Sequence, residues 1–180
     1  MRVCEIIFAT RTDATGDSAS LTALDRDDVI HVCYVPARRL YTFTVTNGTR
    51  EVAYASAPGR AILAHLDTAS IDEFLSRTRL EARTDRTETS KTRFQVILNE
   101  VRQRGYAVVI DELEHGITGL AVPIFDGTTV VGAASCVTPS GYLTEEEFVS
   151  TRLPELRATA NRIAEELRQL PAFAQSIRWS

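Results

Sequence analysis

The stretch GITGLAVPIFDGTTVVGAASCV, residues 116–137, holds two apolar runs around Asp126-Gly127. Asp-Gly favours tight hairpin turns because glycine takes positive φ without steric cost, so the spacing predicts two antiparallel strands. The second is unusual. Gly132, Ala133, Ala134 and Ser135 stand where β-branched and aromatic residues would pack better on a pleated surface. With a period of two, Val131, Ala133, Ser135 and Val137 share one face, and Val130, Gly132, Ala134 and Cys136 the other. Gly132 and Ala134 would admit a long helix close to the sheet. Ser135 puts one hydroxyl on an apolar wall. Two readings stand: close packing on both faces, or room for a ligand in an apolar pocket with a few placed polar groups.

Working outward, YAVVI (106–110) reads as a strand before the acidic DELEHG (111–116). Thr144 with Glu147 is a capping-box signature opening a long last helix marked by Phe148, Leu156, Ile163, Leu167 and Leu170. Pro154 is expected to bend or divide that helix. Upstream, Phe94, Ile97, Leu98 and Val101 mark a helix beginning near Ser90, with Gly105 as its stop. A polar, Thr- and Arg-rich segment leads into it. Ser70 with Glu73 predicts another helix start, and Gly59–Leu66 reads as a helix. ASLTALDRDDVIHVCYV (19–35) alternates on both sides of a DRDD turn, as a hairpin does, and RRLYTFTV (38–45) offers a further strand. Residues 3–13 read as a short helix. The sum is an α+β domain, helices flanking a largely antiparallel sheet.

At 180 residues, 44% hydrophobic and 24% charged, the chain is expected to be one globular domain. Neither a membrane span nor a secretion leader is expected. Cys4, Cys33 and Cys136 are odd in number and irregularly spaced, which suits a reducing cytoplasm rather than a disulfide framework. A net charge of −4 argues against nucleic-acid binding by this chain alone.

YASAPGRAILAHL (54–66), followed by RGYAVVIDELEHGITGLAVPIFD (104–126), resembles the effector-binding domain of IclR-type bacterial transcriptional regulators. VIHVCYVPARRLYTFTVTNGTREVAYAS (29–56) fits as well, and is most similar to the branch that regulates aromatic-acid catabolism. The resemblance implies a GAF/PAS-like sheet with a long C-terminal helix. It implies residues 1–17 as the end of a linker helix and a turn, 18–170 as the effector-binding domain, and 171–180 as a tail. Family members carry a winged helix-turn-helix before that linker, so the expectation is an effector domain without it, either an excised fragment or a natural truncation. No specific operator binding is expected of this chain by itself, and the family precedent is self-association as dimers or tetramers.

The resemblance also implies a site where the sheet meets the turn before the 59–66 helix. Its positions fall on Ala57, Pro58, Val109, Gly119, Ser135 and Val137, with Leu40 and Phe43 on a hydrophobic wall. In members that bind small keto acids the turn donates N–H groups to a carboxylate. Pro58 has no N–H, leaving Gly59 and Arg60 as expected donors. The family's acidic position falls on Val109, a Cys position on Gly119, and one of two Ser positions on Val137, so only Ser135 stays polar. An aromatic or hydrophobic carboxylate suits such a site better than glyoxylate or pyruvate. Arg38 or Arg39 reads equally as its partner or as a solvated hairpin arginine.

Catalysis finds little support. His31 and Cys33, two apart on a strand, would share a face, with His115 and Cys136 in the later hairpin region. One loose pair falls short of the three or four ligands a zinc site needs. DELEHG reads as a solvated loop rather than paired carboxylates. Cys136 lies on the strand face opposite Ser135, away from the inferred pocket. The expectation is therefore a sensing domain with no cofactor and no catalytic step. The alternatives are a free-standing small-molecule binding domain, or a dimerisation module whose pocket has degenerated.

Overall fold

A computed structural model describes residues 15–37 and 45–169. Six strands form one antiparallel sheet: β1 (Ser18–Asp25), β2 (Asp28–Val35), β3 (Arg50–Val52), β4 (Ala107–Ile110), β5 (Ile117–Asp126) and β6 (Thr129–Pro139), in the order β3-β2-β1-β6-β5-β4. A 3-10 turn (Ala53–Ala55) leads into α1 (Ala57–Leu63), followed by α2 (Thr68–Arg77), α3 (Lys91–Arg104) and α4 (Glu145–Gln169). Both expected hairpins form. Gly127, at φ 61, takes the first central position of the β5–β6 turn. The helix expected over 3–13, nearly all of the strand expected over 38–45, and Leu170 lie outside the described residues. None of the described helices is long and apolar enough to cross a membrane.

The caps settle where helices begin. Ser90 accepts from Arg93 N–H at 3.3 Å, and Gly105 closes α3 in the left-handed region at φ 73. Thr144 and Glu147 bond reciprocally at 2.9 and 3.2 Å, starting α4. The expectation at Ser70 fails: Asp67 is the cap, accepting from Ser70 N–H at 2.8 Å, so α2 starts three residues earlier. Pro154 does not divide α4. Both Pro154 and Ser150, whose carbonyl loses its partner, are exposed, and water can satisfy the freed group.

Each face of the sheet carries its own core. On one, Phe148, Leu156 and Ile163 of α4 bury against Leu120, Val122, Ile124, Ala134 and Cys136. Each such side chain stabilises by about 1.5–3 kcal/mol. On the other, α1, α2 and α3 bring Ile62, Phe74, Phe94 and Leu98 against Leu24, Val109, Ala121 and Val130.

Two bulges decide which residues face which core. Partners jump from Leu21↔Cys33 to Thr22↔His31, leaving Val32 as the extra residue of β2. In β6 the partners jump from Ile124↔Gly132 to Phe125↔Val130, leaving Val131 extra. Strict alternation therefore misplaces two residues: Val131 joins the α4 core and Val130 the other, the reverse of the period-two expectation. The small residue at 132 also has another cause than the helix. A Cβ there would lie 2.6 Å from the Thr22 carbonyl oxygen of the neighbouring strand.

His65, after α1, donates from Nδ1 to the Ala61 carbonyl at 2.9 Å and meets Phe125 edge-on. Burial holds its pKa below the ordinary 6.5, the hydrogen bond opposing and Arg102 reinforcing the shift. The unfolded chain takes up a proton there that the folded one resists. Stability against urea should therefore fall as pH drops from about 6.5 toward the depressed folded value. His65→Gln should flatten that slope. Asp67, Asp111 and Glu147, whose pKa values are lowered chiefly by hydrogen bonds, act in the more acidic carboxylate range.

Candidate functional site

A cavity of about 430 Å³ opens between the sheet and the start of α1. Ala57, Pro58, Val109, Gly119, Ser135 and Val137, from four separate elements, all line it. Gly59 is not among its lining residues. A Cβ there would lie 2.1 Å from the Ala53 carbonyl oxygen, so this glycine lets α1 press on the 3-10 turn. Gly119 keeps the cavity open in a similar way: a Cβ would come within 3.2 Å of that of Ala57. Leu40, Phe43, Arg38 and Arg39 lie outside the described residues.

The expected backbone donors are committed elsewhere. α1 begins two residues before the sequence pattern suggests, which makes Ser56 its cap. Gly59 N–H donates to Ser56 Oγ at 3.2 Å, and Arg60 N–H to the Ser56 carbonyl at 3.1 Å. Neither is available to a ligand's carboxylate.

Ser135 is the polar one among the matched positions, but it is not the cavity's only polar group. Ser18 and Ser20 of β1, His31 and Tyr34 of β2, Glu51 of β3 and Ser56 join it in the lining. Ser20 Oγ and Ser135 Oγ stand 2.8 Å apart across the paired strands. Burial raises the Tyr34 phenol above its ordinary 10.0, a hydrogen bond with Ser18 opposing and the charge of Glu51 adding. Tyr34 therefore stays protonated near neutral pH. His31 meets Tyr34 edge-on at 5.9 Å, and its Nε2 lies 3.1 Å from Glu51 Oε1. The Val32 bulge brings His31 and Tyr34, three apart in sequence, to one face. It also sends Cys33 into the α4 core, so the expected His31–Cys33 face does not exist. The alternation Ser18, Ser20, Thr22 was the readable signal for β1; His31 and Tyr34 needed the bulge.

DELEHG is only partly a solvated loop. Its Glu112 receives a bidentate pair from Arg60, at 2.7 and 2.5 Å. Arg60 is buried, donates from Nε to the Tyr54 carbonyl at 2.7 Å, and lies over the Phe94 ring at 5.5 Å. Glu112 also accepts from Glu88 N–H at 3.0 Å. Leu113 and Glu114, next in the chain, line the cavity.

Residues 3–165 match the family described as bacterial transcriptional regulator IclR C-terminal. The Pca regulon regulatory protein of Pseudomonas putida is 32% identical over 158 residues, 87% of this chain and 54% of that protein. The chain thus spans about half the length of that relative. Among solved structures, an IclR from Thermotoga maritima superposes with a TM-score of 0.86 at 26% identity, over 92% of this chain and 67% of that one. The inducer-binding domain of an Acinetobacter PobR double mutant, in complex with 3-hydroxybenzoic acid, superposes with a TM-score of 0.83 at 25% identity. The match covers 91% of this chain and 96% of that domain.

Truncating one partner of a buried ion pair strands the other. Arg60→Met is therefore expected to cost about 3–5 kcal/mol in urea unfolding, against about 0–1 kcal/mol for removing an exposed pair such as Arg79 with Glu81.

Proposed function

This chain belongs to the IclR family of bacterial transcriptional regulators, as its effector-binding domain, and on that footing we propose that its cavity takes a small aromatic carboxylic acid. The carrying observation is the mixture of walls. Val109, Leu113, Ile117 and Val137 offer an apolar surface for a ring, while hydroxyls from β1, β2 and β6 converge from the sheet. A volume of about 430 Å³ lies within the range of small-molecule pockets, about 300–1,000 Å³. Pyruvate or glyoxylate would leave most of that apolar wall uncovered. A benzoate-sized acid covers it and still meets polar partners at its rim. Support also comes from the PobR inducer-binding domain, which shares the fold and holds 3-hydroxybenzoic acid.

Ligand binding then acts by differential affinity for two arrangements of subunits, shifting the population that presents the DNA-binding portion of a full-length regulator. The chemistry is recognition without turnover, in keeping with relatives named as transcriptional regulators.

Thermal unfolding against 3-hydroxybenzoate, benzoate, pyruvate and hexanoate tests the reading. A ligand at a hundred times its dissociation constant adds about 2.7 kcal/mol, a shift of roughly 5–10 °C for a domain of this size. The aromatic acids should give that shift and pyruvate little. A shift with pyruvate alone, or with none of the acids, contradicts the proposal.

A further inference from the structure

His31 is the least satisfied group in the cavity wall. Only 5% of the residue is exposed, and neither ring nitrogen has a hydrogen-bond partner among the described residues. The 3.1 Å approach of Nε2 to Glu51 Oε1 is too poorly aligned for a hydrogen bond. A buried polar group left without a partner is destabilising, so an imidazole is kept on this wall at a cost that a bound partner would relieve.

In the neutral imidazole the neighbouring carboxylate selects the tautomer, and with it the partner. Glu51 beside Nε2 favours the tautomer with its proton there, because a bare lone pair would face the carboxylate oxygen. Nδ1 is then an acceptor, which takes an O–H and repels a carboxylate. The other charged lining group is Glu114; no Lys or Arg lines the cavity among the described residues, and Arg60 is committed to Glu112. The wall near His31 therefore suits a hydroxyl rather than the acid group.

We propose that His31 is a specificity-determining residue that accepts a hydrogen bond from a hydroxyl on the effector's ring, with Glu51 as the positioning residue that sets its tautomer. The assignment rests on the aromatic-acid reading above and narrows it to hydroxylated acids.

Calorimetric titration of the whole chain with 3-hydroxybenzoate, 4-hydroxybenzoate and benzoate tests it. The wild type should bind one of the hydroxylated acids about tenfold tighter than benzoate, the worth of one hydrogen bond. His31→Leu should bring that ratio to about one, and His31→Gln, which keeps an acceptor, should restore part of it. Glu51→Gln should lower the ratio several-fold, and it decides the matter should His31→Leu not fold. A ratio unchanged in His31→Leu or, in its place, Glu51→Gln overturns the assignment, as does equal loss for all three acids. A wild type that binds benzoate as tightly as both hydroxylated acids overturns this assignment alone. A wild type that binds none of them overturns the aromatic-acid reading and this assignment together.

Discussion

The cavity depends on how one buried guanidinium is held. Arg60 bonds the Tyr54 carbonyl behind it, Glu112 across from it, and lies over Phe94 of α3. Through Glu88 N–H on Glu112, the same carboxylate ties the segment before α3 to the β4–β5 loop. Well-packed apolar residues can equal such a pair in stability. They lack its direction. Arg60 has one set of acceptors, and meeting them sets the pitch of α1, which stands Ala57 over Gly119. Gly59 permits that pose by letting the backbone of α1 reach Ala53.

The sheet contributes the opposite wall, and its two bulges assign the residues. Val32 as an extra residue turns His31 and Tyr34 together toward the cavity and Cys33 away from it. Val131 does the corresponding work in β6, letting Val130 fill the core beside α3 while Ala133, Ser135 and Val137 keep their face. The small-residue run in β6 thus has two causes. Gly132 gives way to the Thr22 carbonyl; Ser135 faces the cavity and reaches Ser20.

Much of this was legible in the residues. Asp-Gly at 126–127, the Thr144–Glu147 box and Gly105 each name a local geometry that no tertiary contact overrides, so both hairpins, α3 and α4 could be read directly. β3 could not, because three residues carry no period. The start of α1 was misread because its first turn, Ala57-Pro58, has no apolar stripe; the cap hydroxyl of Ser56 was the better guide. On the cavity's apolar side, the family resemblance pointed to Ala57, Pro58, Val109 and Val137 but not to Leu113 or Ile117. The polar side did not follow from it, since a bulge inverts parity and leaves no mark in composition. Ion pairing of Glu112 was equally hidden: an acidic loop reads as solvated until a buried arginine 52 positions away is seen beside it.

An effector seated between the sheet and α1 would press on elements that are already braced, and Leu113 and Glu114 adjoin Glu112, which completes the brace. Hydrogen exchange measured by mass spectrometry, with and without 3-hydroxybenzoate, tests that placement most directly. Slower exchange confined to peptides covering residues 18–22, 29–35, 51–60, 107–119 and 133–137 is the predicted result. Protection that appears instead along 145–169, on the far face of the sheet, would contradict it.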